Sequence, residues 1–265
     1  MNGLEHIADA FVQAKTAGRA ALMPYLTLGF PDQSMSLAVI ESIAKSGADL
    51  IELGVPFSDP LADGPTIQHS TQIALENGAT VKGCLEMVKT LRGRGVSQPL
   101  MLMGYYNPIL AFGVERFASE AARSGADGLI VPDLPLEEAG PLQEACRQNG
   151  LALVYLVAPT TSDKRLAQIA AQSTGFVYIV SVVGVTGART SLAGDLQSFV
   201  QRVRAVTDKP LAVGFGISTP AQAAQAGKLA DGVIVGSALI DLVGKAADPV
   251  REAGAFIAEF RSALG

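Results

Sequence analysis

Eight short aliphatic runs punctuate this chain, each separated from the next by a longer stretch. They are Ala21–Leu28, Leu50–Leu53, Leu100–Tyr105, Leu129–Val131, Ala152–Val157, Phe176–Val180, Leu211–Val213 and Val233–Val235. Near-continuous Val, Ile and Leu character is what a parallel strand shows when both of its faces are covered. The intervening segments Ser34–Ser46, Val81–Arg92, Val114–Ser124, Leu136–Asn149, Ser162–Ala171, Asp195–Thr207 and Thr219–Gly227 read as helices. Several open on a capping residue, as in Ser218-Thr219-Pro220, where the side-chain oxygen can accept from a free N–H of the first turn.

A weak internal repeat reinforces the alternation. Ser46-Gly47-Ala48-Asp49-Leu50-Ile51 resembles Ser124-Gly125-Ala126-Asp127-Gly128-Leu129-Ile130, and Leu229-Ala230-Asp231-Gly232-Val233-Ile234 is a third copy. Each is a helix end, a tight turn and an aliphatic strand, the unit of a barrel or a doubly wound sheet. Eight such strands with no linker-like segment predict an eight-stranded parallel (β/α)8 TIM barrel, a fold that needs about 250 residues. The 265 residues are expected to form one catalytic domain, 1–265, with an extra helix over 4–16 capping the bottom of the barrel. A six-stranded Rossmann sheet is the alternative. It calls for a GxGxxG turn after the first strand, where this chain has Leu28-Gly29-Phe30-Pro31-Asp32.

Composition fits a soluble, cytoplasmic enzyme. The hydrophobic fraction is 49%, enough for a large core, and Trp is absent. The formal charge is −5 and no basic cluster is long enough for nucleic acid or a membrane surface. Neither a signal peptide nor an apolar run of about 20 residues is seen. Cys84 and Cys146 read as free reduced thiols, and His6 and His69 as surface residues without metal-ligand spacing.

Barrel active sites lie where the strands end. The second run is interrupted by Glu52, at a place where an ionised carboxylate is costly to bury, so this group is either paired or kept with a raised pKa for proton transfer. Asp59 and Asp63 follow in a Pro/Gly-rich loop, where Asp commonly serves a turn. The last strands are followed by Val183-Gly184-Val185-Thr186-Gly187-Ala188-Arg189, Gly214-Phe215-Gly216-Ile217-Ser218 and Gly236-Ser237. Glycine lets backbone N–H groups approach phosphate oxygens, so these segments point to a phosphate site; tight βα turns are the bland reading. Tyr25 and Tyr178 point either into the barrel mouth or into the core.

These residues resemble one family, the α subunit of tryptophan synthase. The similarity is carried by Ile51-Glu52-Leu53-Gly54-Val55-Pro56-Phe57-Ser58-Asp59-Pro60 with Ala62-Asp63-Gly64-Pro65. It extends to Tyr105-Tyr106-Asn107-Pro108-Ile109, Val131-Pro132-Asp133-Leu134-Pro135, Gly184-Val185-Thr186-Gly187, Gly214-Phe215-Gly216-Ile217 and Gly236-Ser237, in order along almost the whole chain. The resemblance implies a carbon–carbon lyase that cleaves indole-3-glycerol phosphate to indole and glyceraldehyde 3-phosphate.

By the same resemblance Glu52 is the acid/base, Asp63 stabilises the positive charge at the indole N–H, and Tyr178, the third catalytic residue, lies near Glu52 and the substrate. Tyr25 and Gly214 belong to the substrate site, Phe215 flanks the indole, Gly187, Gly216, Gly236 and Ser237 hold the phosphate, and Thr186 closes over the site toward Asp63. Pro56, Asp59 and Asn107 would face a β subunit that carries pyridoxal phosphate (PLP) and receives the indole, in an α2β2 heterotetramer. No cofactor or metal is expected in this chain itself. Where some members carry an Arg two residues before the Gly-Val-Thr-Gly loop, this chain has Val182, so any part of that Arg in loop closure does not transfer. Rival readings are a stand-alone indole-glycerol-phosphate lyase, a different enzyme on a phosphate-binding barrel, and a weak barrel that mainly activates its partner. The last would be expected to lack Glu52 or Asp63, and both are present.

Overall fold

A computed structural model describes residues 2–180, 192–214 and 216–265, with the backbone alone for 192–195. Its strands are β1 (Ala21–Thr27), β2 (Ile51–Gly54), β3 (Leu100–Met103), β4 (Gly128–Ile130), β5 (Ala152–Val154), β6 (Leu156–Val157), β7 (Val177–Val180), β8 (Leu211–Gly214) and β9 (Gly232–Val235). All pairings between them are parallel, in the order β5-β4-β3-β2-β1-β9-β8-β7-β6. The two ends of that order, β5 and β6, are one predicted run split at Tyr155, so the sheet returns on itself as the expected eight-fold barrel. An open Rossmann order is excluded.

Helices alternate with the strands: α1 (Gly3–Thr16), α2 (Gln33–Lys45), α3 (Pro65–Glu76), α4 (Val81–Gly93), α5 (Tyr106–Phe112), α6 (Val114–Ser124), α7 (Gly140–Asn149), α8 (Asp163–Gln172), α9 (Leu192–Arg204), α10 (Pro220–Gly227), α11 (Ser237–Lys245) and α12 (Pro249–Leu264). The barrel's bottom is closed by α1. Its first turn is fixed by a reciprocal capping box between Asn2 and Glu5. Phe11 on its buried face meets Phe176, with ring centroids 5.6 Å apart.

Four helices were not foreseen, α3, α5, α11 and α12. The reason is visible in α3, whose buried face is Ile67, Ser70, Thr71 and Ala74; two polar residues hide its apolar period. The helix expected from Leu136 begins instead at Gly140. Pro141 fits only a first helical turn, and the residues before it form turns, with Glu138 N–H donating to the Pro135 carbonyl at 3.1 Å. His6 is also not a plain surface residue, because its Nδ1 lies 2.8 Å from Asp127 Oδ1 in a part-buried contact.

The three repeat copies have a common physical purpose. In each, the Asp before a strand reads both backbone groups of the residue at the start of a neighbouring strand. Asp49 N–H donates to the Leu22 carbonyl and its carboxylate accepts from Leu22 N–H, both at 2.8 Å. Asp127 does the same with Leu100 (2.9 and 2.8 Å), and Asp231 with Leu211 (2.9 and 2.8 Å). An arginine from the segment leading into that neighbouring strand completes each carboxylate: Arg19 for Asp49, Arg92 for Asp127 and Arg204 for Asp231. These clasps fix strand register at the bottom of the barrel, away from the site.

Asp127 takes bonds from Arg92, His6 and Leu100 in a largely buried setting, whereas the Asp231 side chain is 35% exposed. Asp127→Ala should therefore lower unfolding stability by about 3 kcal/mol, and Asp231→Ala by roughly 1 kcal/mol. Urea unfolding of both variants checks the order; equal small losses would contradict it.

Candidate active site

Cβ atoms alternate along a strand, so only every second residue of each strand points into the barrel. Tyr25 pairs in register with Glu52, Glu52 with Met101, and Tyr178 with both Leu156 and Ala212. Gly54 and Gly214 end their strands beside these tyrosines. A Cβ at Gly54 would collide with the Tyr25 hydroxyl, and one at Gly214 with the Tyr178 ring. Both glycines are thus the space in which a tyrosine lies.

The strand ends open into a cleft of about 720 Å³, its mouth included. Tyr25, Glu52, Asp63, Met103 and Tyr178 line one part. Gly216, Ser218, Gly236, Ser237 and Ala238 line another, with Ile67, Ile217 and Ile234 as apolar wall. The size and the mix of an apolar wall with a few polar groups are those of a small-molecule site.

Glu52 is fully buried, and among the described residues nothing donates to either of its carboxylate oxygens. Loss of water therefore acts unopposed and pushes its pKa from 4.5 up to about 8. Asp63 is raised as well, again by burial, with a hydrogen bond from the Tyr105 hydroxyl pulling the other way. Tyr105 also accepts from Ala62 N–H at 2.9 Å, and Gln68 Nε2 donates to the Asp63 carbonyl at 2.8 Å. The Asp63 loop is thereby tied to the end of β3 and to α3. Tyr25 and Tyr178 have their pKa values raised, chiefly by burial and further by the nearby carboxylates, so both remain neutral hydroxyls.

Elsewhere on the cleft, α11 follows Gly236 as its N-cap, and among the described residues no side chain caps it, which leaves its first-turn N–H groups available to an anion. Ser237 is the next residue. Gly216 has φ +78°, a backbone state that favours glycine, and lies on the same rim. Thr186, Gly187 and Phe215 lie outside the described residues. So does Val182.

Pro56 is buried behind the second strand, while Asp59 and Asn107 are exposed on the rim loops. Asp59 accepts from the Ser58 hydroxyl at 2.6 Å. Phe57 and Tyr105, with ring centroids 5.5 Å apart, pack these two loops together. Leu61 is 91% exposed beside Asp59, and Leu110 is 56% exposed one turn after Asn107.

Sequence reasoning brought together Tyr25, Glu52, Asp63, Tyr178, Gly216, Gly236 and Ser237 in one cavity. It missed Met103, Ser218 and Ala238 on the cavity wall, and Tyr105 behind Asp63. Tyr105 and Met103 could have been found by the rule that led to Glu52, because both sit at the C-terminal end of a barrel strand. Cys84 and Cys146 are buried, and burial pushes both thiols up to about 12. Among the described residues no group of three or more His, Cys, Asp or Glu side chains could hold a metal ion. Nor is any described helix long and apolar enough to cross a membrane.

Because Glu52 has a folded pKa above its ordinary value, the folded state binds more protons than the unfolded chain between pH of about 4.5 and about 8. Stability should fall as pH rises through that window, and the full penalty applies above it. Glu52→Gln removes the titrating group, so the variant should gain on the wild type with rising pH, by up to a few kcal/mol. Denaturant unfolding at pH of about 5 and about 9 measures this; parallel profiles would refute the buried, unpaired carboxyl.

Comparison with known proteins agrees with this geometry. The family model described as Tryptophan synthase alpha chain matches residues 11–263. The tryptophan synthase alpha chain of Chloroflexus aurantiacus is 52% identical over 98% of this chain and 99% of the relative. That of Geobacter sulfurreducens is 47% identical over 99% and 100%. Among solved structures, the tryptophan synthase alpha subunit of Legionella pneumophila superposes with TM-score 0.91 at 38% identity, covering 100% of this chain and 98% of that one. A Mycobacterium tuberculosis tryptophan synthase chain gives TM-score 0.90 at 40% identity, covering 97% of each.

Proposed function

This chain belongs to the tryptophan synthase alpha chain family, and from that premise we propose how its cavity performs the family reaction. That reaction is a carbon–carbon lyase step, the cleavage of indole-3-glycerol phosphate to indole and glyceraldehyde 3-phosphate. It draws on no cofactor in the alpha chain; PLP belongs to the beta subunit.

Cleavage transfers one proton overall. Indole C3 gains a proton, which makes the ring an indolenine cation and weakens the bond to the glycerol side chain. The C3′ hydroxyl loses a proton as the aldehyde forms, and the electrons of the broken bond return to the ring. A single carboxyl group can do both. Neutral Glu52 gives its proton to C3, and the resulting carboxylate, poorly solvated in its pocket, takes the proton of the hydroxyl. The group ends as it began. Asp63 accepts from the indole N–H and stabilises the positive charge that develops there. Gly214, Gly216, Gly236 and Ser237, with Thr186 and Gly187, hold the phosphate; the free N–H groups at the start of α11 support this. Tyr25, Tyr178 and Phe215 confine the ring.

The observation that carries this reading is a fully buried carboxyl without a donor among the described residues, in a cavity that an uncapped helix N-terminus also lines. Residues 1–265 act as one catalytic domain in the cytoplasm. Asp59 and Asn107, with exposed Leu61 and Leu110, form the face for the beta subunit in an α2β2 assembly, and Pro56 lies buried beneath that loop rather than on the face.

Glu52→Gln should lower indole release by about 10³-fold or more, with substrate affinity changed only a few-fold. Asp63→Asn should lower it by about 10²-fold or more. Steady-state kinetics with indole-3-glycerol phosphate, paired with binding measurements, test both; near wild-type turnover of Glu52→Gln would sink the assignment. Added beta subunit should raise indole release several-fold, and an unchanged rate would argue for an independent lyase.

A further inference from the structure

Helices α10 and α11 both begin beside the cleft, and their first turns are finished differently. Before α11, Gly236 offers no side-chain cap. Before α10, Thr219 and Gln222 form a reciprocal capping box. Gln222 N–H donates to Thr219 Oγ1 at 3.3 Å, and Gln222 Oε1 accepts from Thr219 N–H at 3.1 Å. The same oxygen reaches one residue further along the loop. It accepts from Ser218 N–H at 2.9 Å and from the Ser218 hydroxyl at 3.1 Å. Ser218 lines the cleft together with Gly216 and Ile217, whereas Gln222 does not.

This turn has little else to hold it. Among the described residues, Gly216, Ile217 and Ser218 make no backbone–backbone hydrogen bond. Gly216 stands at φ +78° and is the residue type with most backbone freedom to lose. Burial of the Ile217 side chain fixes the turn on one side, and the half-buried Gln222 amide fixes it on the other. By taking the N–H groups of Ser218 and Thr219, that amide leaves Gly216 and Ile217 as the donors of this turn without an acceptor among the described residues.

We propose that Gln222 is a positioning residue for substrate binding, acting through Ser218 to hold the Gly216 turn in the shape that meets the phosphate. This rests on the assignment of Gly216, Gly236 and Ser237 to the phosphate. A turn that is already ordered in the free protein adds no ordering cost when the anion arrives, and a released one does. Glu52 and Asp63 lie on β2 and the loop after it, outside this set of bonds, so the effect falls on binding and not on proton transfer.

The test is a split between KM and kcat. Gln222→Met keeps the length and helix propensity of the side chain and removes the acceptor. KM for indole-3-glycerol phosphate should rise about tenfold, with kcat changed by less than about threefold. Inorganic phosphate, used as a competitive inhibitor, should weaken by the same factor. Indole, which has no phosphate, should inhibit as it does the wild type. Thr219→Ala is the control for a loosened helix. It removes the other half of the capping box and should lower stability to urea about as much as Gln222→Met, but it leaves Ser218 tied to Gln222, so KM should stay at the wild-type value.

A wild-type KM in Gln222→Met would overturn the proposal. So would a KM that rises as far in Thr219→Ala, or a loss of indole binding equal to that of phosphate, because the effect would then be general loosening. If inorganic phosphate failed to compete with substrate in the wild type, the phosphate assignment would fall and this role with it, a different failure from the first.

Discussion

A closed parallel barrel keeps water out of its interior, so every inward group must be apolar, hydrogen-bonded or uncharged. That constraint organises this chain. The barrel wall is almost wholly Val, Ile, Leu, Met and Ala, and in the described strands the one acidic residue is Glu52. Its carboxyl has lost water and, among the described residues, gained no donor in exchange, so it is held as an acid near neutral pH. The same dryness raises Asp63 and keeps Tyr25 and Tyr178 neutral. Site chemistry here is less a matter of added charges than of solvent removed.

Such an arrangement needs a rigid frame. At the bottom of the barrel, Asp49, Asp127 and Asp231 each bind the backbone of a neighbouring strand and an arginine. The opposite rim is built from loops joined by Phe57, Tyr105 and the Asp63 segment. Stability and function thus occupy opposite ends of the strands, and a change at one Asp clasp need not touch the cavity. At the upper end, Gly54 and Gly214 leave room for the Tyr25 and Tyr178 rings, where a Cβ would collide with them.

Most of the frame was legible in the sequence. Doubly covered strands must be aliphatic along their whole length, so their positions could be read from eight runs. Glu52 was legible for the same reason, as a charge where none is affordable. The repeated Asp was seen, but not what it binds, because its partners are backbone groups of distant segments. Helix α3 was hidden, since Ser70 and Thr71 stand on its buried face and their partners lie on other elements. Tyr105 went unnoticed as a site residue because a tyrosine at a strand end reads equally well as core. What could not be read is what depends on contacts across the chain: who donates to whom, and which groups lack a partner.

The claim on which the rest turns is that the Glu52 carboxyl is neutral in the free enzyme near neutral pH. Its titration can be followed directly by 13C NMR of the protein labelled at the glutamate carboxyl carbon, with the Glu52→Gln variant identifying the resonance. The account predicts a single resonance that titrates near pH of about 8. A resonance that titrates near 4.5, as an ordinary glutamate does, would contradict it.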